Sequence, residues 1–160
     1  TGMKIAYVEI DTLLAQYNFC IDLNEGMVKK SENVRLTLNQ KARELDKQKQ
    51  DFQTKYQNNA YLSPERAQQE YNRIAKLEQD LQTLSNKLQS ELMSENEKNS
   101  LQLRDSINAF LKEYNKTKGY SMIISNTGFD NLLYADSIYN ITKEIVEGLN
   151  ARYSSPAPKK

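Results

Sequence analysis

The sequence predicts a mainly α-helical protein with a small β body: a long antiparallel coiled-coil hairpin, or tentacle, on a sheet-containing oligomerisation base. Two long stretches repeat apolar residues every seven positions against a polar background. A short break carrying helix-start residues separates them. The β-branched and aromatic runs that read as strands lie only outside this pair, near the two ends of the chain.

At the start, Lys4-Ile-Ala-Tyr-Val-Glu-Ile10 is apolar on both faces and predicts a mostly buried strand. Asp11 is the expected N-cap of a short helix from Thr12 to Tyr17, and Asn18 its interruption. Asp22 with Glu25 has the spacing of a capping box that restarts a helix. From Leu23 to Tyr56 there is no proline and one glycine, Gly26. Leu38, Leu45 and Phe52 fall seven apart, with Val34 and Tyr56 close to the same face, so one narrow apolar stripe marks a coiled-coil seam.

Asn58-Asn59-Ala60-Tyr61-Leu62 breaks the pattern, and Ser63-Pro64-Glu65 supplies a cap, a first-turn proline and an acidic first turn. The second helix is expected from Pro64 to about Lys118. Ile74, Leu81 and Leu88, with Leu77 and Leu84 between them, continue the seam. It fades over Glu91 to Asn99 and resumes at Leu103, Ile107, Phe110 and Tyr114. The four-residue step from Leu88 to Leu92 is a stutter. A changed phase implies a changed partner: the other arm before the shift, the base after it. Gly119 reads as a C′ glycine. Strands are expected at Tyr120–Ser125 and Asn131–Ala135, joined by turn residues Asn126-Thr-Gly128. A last helix is expected from Thr142 to about Asn150, with Ile141 and Val146 placed as a hydrophobic staple. The division that follows is a base of 3–22 and 119–150, an arm of 23–118 with its tip near 57–63, and a proline-rich disordered tail of 151–160.

Composition limits the function. Twenty-two basic against twenty-one acidic residues leave +1, which argues against nucleic acid as a partner. There is no histidine, and Cys20 is the single cysteine, so the commonest general base, an internal disulfide and a thiolate metal cluster are all excluded. No cofactor, metal or catalytic set is expected. Asp130 and Asp136 flank a strand but have no base beside them, and turn and cap roles explain them. Asn115-Lys-Thr117 and Asn140-Ile-Thr142 match the glycosylation triplet, and Asn140 is better read as part of a helix start. Cys20 reads as a small buried hydrophobe. Three short strands leave open edges and little core, which points to self-association.

The opening Lys4–Leu14 and the closing Gly119–Asn150, with a polar helical hairpin between them, resemble the Skp/OmpH family over about residues 4–150. Where the family has Asp-Ile-Thr, this chain has Asn140-Ile-Thr142. The resemblance implies a periplasmic chaperone in processed form, its signal peptide outside this chain. It implies a homotrimer whose tentacles enclose a cavity and hold unfolded outer-membrane proteins without ATP. On this reading Ile5, Tyr7, Val8, Ile123, Ile124, Leu132 and Leu133 form the oligomerisation body. Well-known members are strongly basic and this chain is not, so capture of acidic clients, lipopolysaccharide or membrane surfaces by charge is expected to be weak.

Phe52, Tyr56, Tyr61, Leu62 and Tyr71 cluster at the tip, either to grip apolar client segments or simply to close the hairpin. Residues 41–76 carry eight basic and five acidic residues, a net +3 that mostly describes a solvated helix surface. Two rival classes share the arms. A structural coiled-coil scaffold or spacer of the cell envelope would not need an apolar tip. A prefoldin-like cytosolic chaperone places its strands between the two helices, whereas here they lie outside the hairpin.

Overall fold

The structure is a computed structural model that describes residues 2–128 and 131–154. The elements in chain order are β1 (Ile5–Glu9), α1 (Ile10–Gln16), α2 (Asn18–Gln57), α3 (Pro64–Lys118), β2 (Met122–Asn126), a 3₁₀ turn (Ser137–Tyr139) and α4 (Thr142–Ser154). Two long helices and a two-stranded sheet give the mainly α architecture that the apolar periodicity requires. The described residues divide into two packed units, one of residues up to Gly26 with those from Glu97 onward, the other of Met27–Asn96.

The first unit is built on β1. Its middle residues Ala6, Tyr7 and Val8 are buried, as a strand apolar on both faces must be. β2 pairs with it in parallel, in the register Ile5↔Met122 through Glu9↔Asn126. The other edge of β1 is occupied by Asn140 and Ile141: Tyr7 bridges Asn140, and the Ile141 N–H donates to the Tyr7 carbonyl at 3.0 Å. This corrects the expected third strand. Asn131–Ala135 form no strand, and the later residues that reach the sheet are Asn140 and Ile141, on β1. Phe129 and Asp130, between the expected turn and the expected strand, lie outside the described residues.

Three caps also differ from expectation. α1 begins at Ile10, directly after β1, so Asp11 is in its first turn and not its N-cap. α2 runs unbroken from Asn18, and Asp22 makes no capping box but accepts the Tyr153 hydroxyl at 2.6 Å. The break between α1 and α2 falls at Tyr17 and is held from a distance by Asn150. Its Oδ1 accepts the Asn18 N–H at 2.8 Å, and its Nδ2 donates to the Gln16 carbonyl at 3.0 Å. α4 continues past Asn150 to Ser154, with Tyr153 packed in edge and tilted contacts with Tyr17 and Phe19. The tail from residue 155 lies outside the described residues. The start of α4 follows the sequence. Asn140 Oδ1 accepts from the Thr142 N–H at 3.0 Å, and Thr142 Oγ1 accepts the Glu9 N–H at 2.8 Å, tying β1 to α4.

The core of this unit gathers Ala6, Val8, Leu13, Tyr17, Cys20, Ile141, Ile145, Val146 and Leu149. Leu103, Ile107, Phe110 and Tyr114 of α3 pack against it, which is the new partner that the stutter implied. Gly119 ends α3 in the left-handed region at φ +69°, as a C′ glycine does.

The second unit is a two-helix seam. The ion pairs Lys30–Glu95 and Lys49–Glu78, each 2.8 Å, run in opposite directions along α2 and α3, so these segments are antiparallel. Leu45 and Ile74 are its buried apolar residues among those described, and Leu38, Leu77, Leu81, Leu84 and Leu88 are half-buried. A stripe this narrow buries little per residue and leaves the rest of each helix polar.

Gly148 gives a direct test of the packing between α4 and α3. A Cβ there would collide with Cζ of Phe110. Gly148→Ala should therefore destabilise by about 1–3 kcal/mol in thermal or denaturant unfolding, despite alanine's higher helix propensity. In a Phe110→Ala background the sign should reverse and Gly148→Ala should stabilise. A stabilising Gly148→Ala in the parent chain would mean that the two helices do not approach so closely.

Candidate functional site

The tip of the second unit is shaped by how its two helices stop and start. α2 ends in a Schellman arrangement. Asn59 takes φ +52°, its N–H donates to the Tyr56 carbonyl at 3.2 Å, and the Ala60 N–H donates to the Lys55 carbonyl at 2.9 Å. Asparagine tolerates this left-handed position better than other side chains. Ser63 caps α3, its Oγ accepting the Arg66 N–H at 3.2 Å, and Pro64 fits the first turn, where no N–H is needed.

This geometry brings all five residues expected at the tip together. The Phe52 ring is the hub, with its centroid 5.9 Å from Tyr56, 5.6 Å from Tyr61 and 6.2 Å from Tyr71. These separations are in the favourable range for aromatic pairs. The cluster is open rather than closed: Tyr56 is 62%, Tyr71 58% and Leu62 92% exposed. Beside it lies a cavity of about 670 Å³, lined by those five residues and by Asn59, Ser63, Pro64, Ala67 and Gln68. Of the second group, Ser63 and Pro64 were legible only as helix-start residues, and Asn59 only as part of the break. Ala67 and Gln68 were missed, although their spacing of three and four from Pro64 and Tyr71 sets them on one helix face.

None of the ten lining residues is charged, on a chain in which 27% of residues are. Partial desolvation raises the Tyr61 phenol above its ordinary pKa and the Glu70 carboxylate adds to the rise. Glu70 is itself engaged by the guanidinium of Arg73, with Nε–Oε2 at 3.1 Å, which lowers its pKa. This ion pair lies outside the cavity wall.

The residues expected to form the oligomerisation body lie in the first unit, in different settings. Tyr7 and Val8 are buried within it, and Ile5, Ile123 and Ile124 are half-buried in the paired strands. Leu132 is half-buried and Leu133 is 80% exposed; with Tyr134 at 85% and Ile138 at 74% it makes an uncovered apolar stretch. Asp136 caps the 3₁₀ turn, its Oδ1 accepting the Ile138 N–H at 3.1 Å. Cys20 is buried, and its thiol is pushed up in pKa by that burial. Among the described residues no group of acidic, cysteine or histidine side chains is placed to hold a metal ion. Among the described residues no helix is long and apolar enough to cross a membrane.

The family model for outer membrane protein (OmpH-like) matches residues 4–149. No curated protein sequence matches the chain. A crystal structure of an OmpH-like candidate outer membrane chaperone from Caulobacter crescentus CB15 has the same fold, with a TM-score of 0.83 at 12% identity, covering 100% of this chain and 91% of that one.

The turn at Asn59 can be tested by itself. Asn59→Ala should raise hydrogen exchange at the amides of residues 55–63, since the left-handed region costs an ordinary side chain about 1–2 kcal/mol and alanine lacks the polar group with which asparagine offsets part of it. Asn59→Gly should leave exchange there unchanged or slower. Equal exchange in the two variants would mean that the left-handed turn does not hold the tip.

Proposed function

Since this chain belongs to the OmpH-like family, we propose that it is an ATP-independent holdase of the periplasm that binds unfolded outer-membrane proteins and keeps them from aggregating. The observation that carries this reading is the open aromatic tip: Leu62 at 92% exposed, with Tyr56 and Tyr71, on helices with a mainly polar surface that expose few other apolar residues, among them Val28, Leu36 and Met93. A structural spacer would be expected to cover or lack such residues, because exposed apolar clusters are aggregation liabilities unless they bind something. Three copies assemble through their sheet-bearing units, and the hairpins enclose the client.

The thin seam supports this use. Few buried contacts per residue let an arm open locally and fit different clients. Weak contacts spread over amides, alternating charges and isolated apolar residues bind many sequences without selecting one. The test is suppression of aggregation when a urea-unfolded outer-membrane β-barrel is diluted into buffer without nucleotide. Suppression is expected at about one assembly per client, and a chain that leaves turbidity unchanged would refute the holdase reading.

Assembly has its own check. Light scattering should give the mass of a trimer at micromolar concentration. Ile124→Asp, which sets a carboxylate in the strand register opposite Tyr7, should dissociate or unfold it, because a buried unpaired charge is costly. A stable monomer in the parent chain would refute the trimer.

Near-neutral charge also predicts how clients are held. Exposed ion pairs contribute only about 0–1 kcal/mol and are screened over about 8 Å at physiological ionic strength. Client affinity should therefore depend only shallowly on salt. The double change Tyr61→Ser, Leu62→Ser should weaken holdase activity while leaving helicity and assembly mass intact. A steep salt dependence would shift the main interaction to the lysines and arginines of the arms.

A further inference from the structure

The tip cavity differs from the rest of the hairpin in a way that identifies an occupant. The arm surfaces are alternating charges and amides, which suit dispersed contact. The tip is instead a concavity of about 670 Å³ with four aromatic rings and no charged residue in its wall. Its size and its mixture of aromatic surface with a few polar groups are those of a discrete binding site. From this we infer that the tip takes an aromatic side chain of the client, presented by an uncharged, extended stretch of polypeptide. This deepens the holdase reading and rests on it.

Three features point to that occupant. First, the rings are unsaturated. Phe52 already has three tyrosine neighbours, whereas Tyr56 and Tyr71 keep more than half of their surface exposed. A guest ring can add offset or edge-to-face contacts to those two without dismantling the hub. Second, the rim carries hydrogen-bonding groups without charge: the amide of Asn59, the carbonyl of Gln68, whose Nε2 donates to Asn72 Oδ1 at 3.0 Å, and the tyrosine hydroxyls. Such groups serve a client backbone, whose N–H and C=O groups need partners and carry no charge. Third, no charged side chain lines the wall. Lys55 and Arg66 stand outside the wall, and Arg73 is engaged by Glu70. An anionic lipid surface or an acidic peptide would be met by basic side chains in the wall. A neutral wall desolvates a neutral guest at least cost.

The full chain in its native assembly provides the test. The probes are blocked, uncharged peptides that differ at two positions: Phe, Leu, or a proline-rich sequence. Anionic vesicles are a fourth probe. The Phe peptide should bind roughly fivefold tighter than the Leu peptide, the gain expected from ring–ring contact beyond area alone. Tyr56→Ala with Tyr71→Ala should abolish that preference while helicity and assembly mass stay unchanged. Gln68→Glu, which keeps every ring and the side-chain size, should weaken Phe-peptide binding several-fold by placing a charge in the wall. Equal binding of Phe and Leu peptides, tighter binding of the proline-rich peptide, or vesicle binding that the double variant loses would each overturn the inference. Aggregation suppression by the parent chain is measured alongside. A parent that suppresses aggregation but shows no aromatic preference overturns the tip site alone, and one that does neither overturns the holdase reading as well.

Discussion

Parallel pairing of β1 with β2 is the constraint on which the rest of the structure depends. Parallel neighbours cannot be joined by a tight turn and need a crossover connection. Here Ile5 pairs with Met122, so the whole hairpin is that crossover. The chain must leave after Glu9 and re-enter at residue 122 in a fixed register, or every side chain of β2 changes face. The two ends of the sequence are thereby made into one unit. Asn140 and Ile141 take the second edge of β1, Thr142 accepts the Glu9 N–H, and Asn150 spans the break between α1 and α2. Residues more than a hundred positions apart thus satisfy one another's backbone groups, which buried backbone requires.

This long-range closure explains what the sequence revealed and what it did not. The long helices were legible because their signals are local: seven-residue spacing at Leu38, Leu45 and Phe52, the start at Ser63-Pro64, and the stop at Gly119. The stutter at Leu88–Leu92 was legible for the same reason, and Leu103, Ile107 and Phe110 do pack on the core of the first unit. The misread elements were those decided from a distance. Asn131–Ala135 has strand composition, but it is Asn140, further along the chain, that bridges to the sheet at Tyr7. Asp22 has capping-box spacing, but a helix already passes through it and Tyr153 claims its carboxylate. The aromatic members of the tip stood out against a polar background. Ala67 and Gln68 have no such contrast, and only the turn geometry at Asn59 shows that they share a wall with them.

The same contrast between local and distant contacts sets where the chain is firm. Among the described residues, the fully buried side chains Leu13, Tyr17, Ile145 and Leu149 all belong to the unit built on the sheet. The seam of the other unit buries Leu45 and Ile74 and leaves its other apolar positions half exposed. Ion pairs such as Lys30–Glu95 and Lys49–Glu78 fix the pairing direction but are solvent-exposed and add little stability. Local opening is therefore cheaper along the seam than in the sheet-bearing unit.

A thin seam needs something to keep its two helices in register, and the tip supplies it. Phe52 is the last heptad residue of α2, and its ring meets Tyr61 of the turn and Tyr71 of α3. The same ring therefore ends the seam and founds the cavity wall. The Schellman turn at Asn59 and the Ser63 cap fix the backbone between these rings without a further apolar residue. Closing the hairpin and presenting an open aromatic surface are consequently not rival roles. Phe52 and Tyr61 perform the first from the half-buried side, and Tyr56, Leu62 and Tyr71 remain exposed for the second. A fully covered tip would stabilise the arm more and have no free face to offer. The exposed rings thus leave stability unrealised where the arm gathers aromatic surface, on a unit that also exposes Val28, Leu36 and Met93.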